Sequence, residues 1–416
     1  MLKGAIFSLH DVLIRRGTVD AALFGETIRL LRYLKSRGVE PVFVSNHDWT
    51  VTFPNVAPRP FRALLEDALG PVSYYIGGEN GMPFKPKAHA TRHILAEKGW
   101  SKREVLYVGN TEADMRTAAN GQLMFLNAMW HGAASTYGFQ FASPLDVARY
   151  IDCLCLGLAD WFWALEQGPL RVYALAPFTT LSPRYAEAHA YSENARATSK
   201  HGVGDANFWG RLLAARVYFS GLVDEIDYIT AYPGHAPDSS ETVIGEALNI
   251  LGKSLRKSYL PDLITRHTKA VKSQTARSSG GSVGVENQLN TIRLNRAPSR
   301  GVGGKAYQSP PTRSGKTILL VDDICTEGNS FEAGRAYIGA TGASVICVSW
   351  LKTINTDYRT VSPAFDRFDP FTVQKFNAPV STANHWYSSA IKSHSAPTDL
   401  ADVYRRYFNW SWPAGI

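Results

Sequence analysis

The sequence predicts an α/β protein built on parallel sheets, and three observations point there. Over residues 1 to 145, short apolar runs alternate with helical patterns, the rhythm of strands joined by crossover helices. Further on, Thr317 to Ser330 (TILLVDDICTEGNS) sets a run of Ile318, Leu319, Leu320 and Val321 ahead of twin carboxylates, a small polar turn and a helical pattern from Phe331. The length of 416 residues, with 45% hydrophobic and 12% aromatic residues, supplies cores for about two or three domains.

Composition narrows the class. No apolar run approaches the roughly 18–20 residues of a membrane span, and the start, MLKGAIFSLH, runs into a strand without a signal-peptide pattern. Cys153, Cys155, Cys325 and Cys347 read as reduced thiols, and Cys153 and Cys155 lack the second pair or His cluster a zinc site requires. A cytoplasmic protein without a membrane partner is expected. Net charge is +8, and thirteen basic residues between Lys253 and Lys316 face only Asp262 and Glu286. Such a block suits a polyanion, either pyrophosphate or nucleic acid, with pyrophosphate favoured; the plain alternative is a solvated surface.

The chain opens with the strand pattern GAIFSLHDVLI, a helix near Asp20–Arg37 closed by Gly38, and a second strand over Glu40–Ser45. FKPKAHATRHILAEKGW and the strand VLYVGN follow. Over residues 3–131 this resembles the haloacid dehalogenase (HAD) superfamily, a Rossmannoid fold. The resemblance places Ser8 at the nucleophilic Asp, His10 at the acid/base Asp, Ser45-Asn46 at the hydroxyl motif, Lys85 before Pro86 at the phosphate-balancing lysine, and Asn110 with Asp114 at the Mg²⁺-ligating pair. A carboxylate nucleophile that also holds Mg²⁺ is missing. The implied domain is a pseudo-phosphatase acting as scaffold or dimerisation module, or as a sensor of phosphorylated ligands through Ser45, Lys85 and backbone amides. Asp11 stands where the family has glycine.

From 146 on, Pro144–Gln167 reads as a buried Trp-rich helix and Pro169–Ala176 as a strand. A polar stretch with Tyr185, Tyr191, Arg196, Lys200 and His201 is long enough for part of a hood over an acceptor site. Ala206–Leu222 is a helix with Asn207 near its start. Ile226–Tyr232 reads as a strand ending in Pro233-Gly234-His235, then come a helix over Glu241–Leu255, a basic Ser/Gly-rich excursion, the TILLVDDICTEGNS stretch and a strand over Ala343–Leu351.

Over roughly 170–352 this resembles the type I phosphoribosyltransferases, nearest to ComF-like and amidophosphoribosyl-type proteins. Leu263, Arg266, Gln274 and Asn287 carry the likeness together with VDDICTEGNS; Val285-Glu286, Cys325 and Glu327 depart from it. The resemblance implies a parallel-sheet transferase fold and transfer of ribosyl C1′ from phosphoribosyl pyrophosphate (PRPP) to an unknown acceptor (base, amine or nucleotide) with loss of pyrophosphate. It implies Mg²⁺, with Asp322 and Asp323 holding ribose hydroxyls or metal. Tyr232, Pro233, Gly234 and His235 would surround the pyrophosphate; Ile324, Cys325, Thr326, Glu327, Gly328, Asn329 and Ser330 would line the 5′-phosphate; Lys269, Lys272 and Arg277 would close over the diphosphate. Asp323 and His235 are the available acceptor bases.

The reading divides the chain into 1–145, 146–362 and an aromatic extension, 363–416, with Phe365, Phe368, Phe371, Phe376, Trp386 and Tyr387 and a final helix over Asp399–Phe408 before Trp410 and Trp412. Those aromatics pack on a domain or partner chain, or stack on a base. A homo-oligomer or partner protein fits the same pattern. Pairing HAD-like and ComF-like parts resembles bacterial stress and defence systems. The rival reading is a non-catalytic PRPP- or nucleotide-sensing, or nucleic-acid-binding, ComF-like regulator.

Overall fold

The computed structural model describes residues 1–53, 56–132, 136–157, 161–237, 243–271, 284–361, 368–376 and 380–416. Its first sheet uses β1 (Gly4–Ser8), β2 (Glu40–Ser45), β5 (Ser73–Ile76), β6 (Val105–Gly109), β7 (Met124–Ala128) and β8 (Phe139–Phe141), all parallel, in the order β5-β2-β1-β6-β7-β8. A hairpin, β3 (Thr50–Phe53) and β4 (Val56–Pro60), stands apart. Side chains alternate across the strands, as the period of two demands. Ala5, Phe7, Leu106 and Val108 face the helices Ala21–Ser36 and Pro144–Tyr150, whereas Ile6, Val42, Val105 and Tyr107 face Ala88–Lys98 and Glu112–Gly121.

The second sheet uses β9 (Trp163–Gln167), β10 (Leu170–Phe178), β11 (Tyr228–Ala231), β12 (Ser258–Tyr259), β15 (Thr317–Cys325) and β16 (Ser344–Thr353) in the order β12-β11-β15-β16-β10-β9. All pairs are parallel except β9 with β10. Two short antiparallel pairs accompany it, β13 (Ile264–Arg266) with β14 (Ile292–Leu294) and β17 (Tyr358–Val361) with β18 (Thr382–His385). Ile318, Leu320, Val345 and Cys347 face the helix Asn329–Gly339, while Leu319, Val321, Ile346 and Val348 face the helices Ala206–Phe219 and Val243–Leu255.

One apolar cluster runs from the first sheet, through Leu30, Leu34, Val147 and Tyr150, to Phe208, Trp209, Leu212 and the second sheet. Trp209 stacks on Trp350 of β16 at 5.1 Å. Polar bonds reinforce the junction: Arg103 reaches both carboxylate oxygens of Asp224 at 3.1 and 2.9 Å, and the Tyr218 hydroxyl donates between the Lys102 and Val105 carbonyls. The tail closes over it. Tyr404, Tyr407 and Phe408 of the helix Ala396–Phe408 pack around Phe208, and Trp410 and Trp412 meet Tyr33 edge-on.

Several expectations change. The first strand stops at Ser8, and Asp11, at φ 55°, turns the chain before Ile14. The expected helix over Pro144–Gln167 ends at Tyr150; a wider turn covers Ile151–Cys155, and Trp163 to Gln167 form β9. Aromatic and apolar residues in a short run suit a buried strand as well as a helix, and the pairing with β10 decides it. The stretch expected to form part of a hood includes the helix His189–His201, whose Tyr191 and Ala195 enter the shared core, and Tyr185 precedes it at φ 62°. Phe365 lies outside the described residues, as do the side chains of Lys200 and His201. Among the described residues, no helix is long and apolar enough to cross a membrane.

Candidate functional site

In an open parallel sheet, ligands sit beyond the carboxyl ends of the strands, where the strand order reverses. The first sheet reverses between β1 and β6, so Ser8 and Asn110 flank its crevice. The second reverses between β11 and β15, so Tyr232–His235 and Asp322–Ser330 flank the other. Ser8 and Asn110 on one side, and Tyr232–His235 with Asp322–Ser330 on the other, therefore sit at topologically equivalent places.

The first crevice is filled by protein. Lys85 Nζ donates to Ser8 Oγ at 2.9 Å and to Asp114 Oδ1 at 2.8 Å, with the two side chains of the ion pair 8% and 1% exposed. The Tyr107 hydroxyl donates to the same oxygen. Asp114 sits in the first turn of its helix, and its other oxygen accepts from the Thr111 amide, the Thr111 hydroxyl and the Asn110 amide. Burial alone would raise the Asp114 pKa; the Lys85 charge and these hydrogen bonds overcome it and hold the carboxyl below its ordinary value. Asn46 fixes the lysine backbone, accepting from Lys85 N and donating to Lys85 O. Asn110 turns its amide to the Ala128 and Gly132 carbonyls.

The other motif positions stand aside. Ser45 Oγ accepts from the His47 amide and from Trp49 Nε1 at 3.0 Å. His10 is exposed, stacked on Trp49 and 3.5 Å from Asp11. A Mg²⁺ ion needs oxygen ligands in near-octahedral array. This crevice has one carboxylate, already bound to an ammonium, and two amide or hydroxyl groups in place of the others. The residues present do not fit the metal.

The second crevice is built differently. β15 runs on through Asp322 and Asp323 to Cys325, and helix Asn329–Gly339 starts directly after Gly328. The aspartates were expected past the strand end; the parallel pairing of Asp322 with Ser349 and Cys325 with Lys352 carries the ladder beyond them. Both carboxylates are half-buried, and each accepts the amide of the next residue, Asp323 N at 2.9 Å and Ile324 N at 2.7 Å. Cys325 is buried, which pushes its thiol up to about 12 and removes it as a nucleophile. Gly328 has φ 87°, and a Cβ there would lie 2.3 Å from the Tyr358 ring, so only glycine fits. Glu327 lies 3.7 Å from Arg359, and Thr326 Oγ1 is 3.0 Å from Thr353 Oγ1. Asn329 and Ser330 open the helix.

Across the crevice, Arg266 is buried beneath the turn that follows β11. It donates to the Gly234 carbonyl, to Thr291 Oγ1 and to Gln288 Oε1, and lies 5.6 Å from the Tyr232 ring centroid; the Tyr232 hydroxyl shares Gln288 Oε1. Pro233 is half-buried and His235 exposed, with the His235 carbonyl accepting from Ala270 N. Asn287 clasps Val271 through both backbone groups at 3.0 Å. The basic excursion thus departs beside this turn. Lys269 is exposed there, whereas Lys272, Gln274 and Arg277 lie outside the described residues.

Among the described residues, no group of three His, Cys, Asp or Glu side chains is placed to hold a metal ion. Asp322 and Asp323 offer two carboxylates. That suits a Mg²⁺ ion brought in by phosphates, which characteristically takes one or two protein carboxylates and keeps its waters.

Sequence reasoning does not point to Lys352 or Thr356, although Lys352 ends the otherwise uncharged run SVICVSWLK, where a charge is conspicuous. Its ammonium is buried below the Thr326 turn and donates to the Thr326 and Thr356 carbonyls, both at 2.6 Å, and to Thr356 Oγ1 at 2.8 Å. The basic block is otherwise partly engaged. Lys316 pairs with Asp227 at 2.9 Å and Arg296 with Asp369 at 3.0 Å, while Arg300 lies over Tyr307.

No family model matches the chain, and no curated protein does. Among solved structures it is similar to a putative phosphoglycolate phosphatase from Lactobacillus delbrueckii subsp. bulgaricus, at 22% identity over 30% of this chain and 51% of that one, with a TM-score of 0.24. It is also similar to a HAD-superfamily hydrolase, subfamily IA, variant 1, from Geobacter sulfurreducens, at 12% identity over 37% of this chain and 100% of that one, with a TM-score of 0.24. TM-scores this low describe a partial likeness in fold and carry nothing about chemistry. What the comparisons add is HAD-superfamily neighbours that cover part of the chain.

Proposed function

We propose that the protein is a PRPP-dependent phosphoribosyltransferase carrying a HAD-like domain whose catalytic crevice has been closed. The observation that supports this most is the position of Asp322 and Asp323. They are half-buried carboxylates at the reversal point of a parallel sheet, followed within one turn by a left-handed glycine and a helix N-terminus. Vicinal ribose hydroxyls donate well to carboxylates, and a helix start preceded by small residues favours a phosphate. Pro233 and Gly234 lie on the opposite lip, with Arg266 beneath them, suited to a diphosphate.

In this reading Asp322 and Asp323 bind the ribose hydroxyls, and Thr326 to Ser330 bind the 5′-phosphate. The Tyr232–His235 turn faces the pyrophosphate, and Lys269 stands at the root of the excursion. Mg²⁺, when bound with PRPP, would neutralise charge on the leaving diphosphate, with Asp322 and Asp323 the groups to hold it. Breaking the C1′–O bond leaves positive charge on the ribose and negative charge on the diphosphate, so the cations beneath and beside the turn stabilise departure. The acceptor remains defined only as a base, amine or nucleotide. The closed Ser8–Lys85–Asp114 crevice supports a structural role for the HAD-like part over hydrolysis or phospho-ligand sensing.

Isothermal calorimetry with PRPP and Mg²⁺, followed by pyrophosphate release across candidate bases and amines, tests the assignment. Binding that disappears in Asp322→Asn/Asp323→Asn, with turnover for one acceptor, is the expected result. Binding without turnover on any acceptor selects the sensor reading. Failure to bind PRPP removes both.

A further inference from the structure

The two carbonyls at the start of the 326–330 turn are both held by hydrogen bonds from β16 and the segment that follows it. The Thr326 carbonyl accepts from Lys352 Nζ at 2.6 Å, and the Glu327 carbonyl accepts from the Arg359 amide at 3.0 Å. In a trans peptide the carbonyl and the following N–H point in opposite directions. Pinning each carbonyl therefore turns the amide that follows it, of Glu327 and of Gly328, away from that carbonyl's donor, just ahead of the helix Asn329–Gly339.

Lys352 is an unusual anchor. It is 0% exposed, lies 5.2 Å from the Trp163 ring centroid and 5.6 Å from that of Tyr387, and its hydrogen-bond acceptors are the carbonyls of Thr326, Thr356 and, at 3.5 Å, Thr353, with Thr356 Oγ1. None of these acceptors is a carboxylate. A buried ammonium whose hydrogen bonds all go to neutral groups is costly to fold around.

We propose that Lys352 is a positioning residue for the phosphate end of the crevice, its ammonium holding the Thr326 carbonyl inward so that the turn presents its amides to a phosphate monoester. The proposal rests on the transferase reading of this crevice but assigns a residue that does not touch the ligand. Thr356 is its partner: its carbonyl and hydroxyl complete the ammonium's shell, and its hydroxyl also lies 2.7 Å from the Thr353 carbonyl. The turn after β16 is thereby fastened to the turn after β15.

The test titrates wild type and Lys352→Met with two probes, ribose 5-phosphate for the phosphate end and inorganic pyrophosphate with Mg²⁺ for the other. The expected result is ribose 5-phosphate affinity weakened about tenfold or more, the scale of a lost charge-assisted hydrogen bond, with pyrophosphate affinity held within about twofold. Unchanged ribose 5-phosphate affinity overturns the proposal, and so does an equal loss for both probes, which marks a merely structural lysine. Should Lys352→Met fail to fold, Thr356→Ala carries the test. A weakening confined to ribose 5-phosphate upholds the proposal, and no change refutes it. If wild type binds neither probe, the transferase reading falls and this proposal with it. Failure of the lysine alone shows instead as normal binding by the variants.

Discussion

Lys85 Nζ lies 2.8 Å from Asp114 Oδ1, and both groups are buried. One partner follows a strand of the first sheet and the other begins a helix, so the pair ties the crevice shut. Breaking a buried pair leaves an uncompensated charge. Lys85→Met is expected to cost about 3–5 kcal/mol in urea unfolding, and Lys85→Met/Asp114→Asn to recover a large part of it.

The same pair sets an acid limit. The Asp114 pKa is depressed in the folded protein, so its contribution is complete above the unfolded value of 3.8 and disappears as pH falls through the lower folded value. Urea midpoints measured downward from pH 3.8 should fall more steeply for wild type than for Asp114→Asn; parallel curves would refute this.

Asp322→Asn and Asp323→Asn should separate binding from folding. Their carboxylates are half-buried and each accepts a neighbouring amide, so stability is expected to change by only about 0.5–1 kcal/mol. PRPP affinity by calorimetry should drop about tenfold or more for each.

Arg266→Met removes a buried guanidinium that holds Gly234, Thr291 and Gln288. Its orphaned acceptors predict a loss of about 2–3 kcal/mol in thermal or urea unfolding. Pyrophosphate affinity should fall with it while ribose 5-phosphate affinity is largely kept, the opposite of the pattern expected for Lys352→Met.

Lys352 also gives stability an alkaline signature. Burial lowers its pKa from 10.5 to about 8, against the opposing charges of Asp357 and Glu327. A lysine whose folded pKa is depressed binds fewer protons folded than unfolded between those two values, so stability rises with pH from about 8 towards 10.5. Lys352→Met should flatten that rise in urea unfolding series; a slope identical to wild type would contradict it.

Much of the architecture was legible in the sequence because local rules and packing agree. Asp20 caps the first helix through Leu23 N, and its apolar face appears in the core as Ile28, Leu31 and Leu34. The reading failed where two structures share one pattern. Trp163 and Leu165 suit either a helix or a strand, and only pairing with β10 settles the matter. The twin aspartates looked like a strand end because carboxylates rarely continue a ladder; the pairing with β16 keeps them in it. Ser8, Lys85 and Asp114 were each picked out, yet their mutual bonds depend on three distant segments meeting. Lys352 stands out as a charge at the end of its strand, but its role depends on the Thr326 carbonyl, which a distant segment brings above it.

The cluster joining the two sheets has a further consequence. Phe208 and Trp209 occupy the ground between them, and the carboxyl-terminal helix and its two trailing tryptophans seal both. Severing the chain near residue 145 would leave each fragment with a wide greasy scar, so neither is expected to survive alone in water. The first half is then indispensable to the second, because it supplies the second half's missing wall.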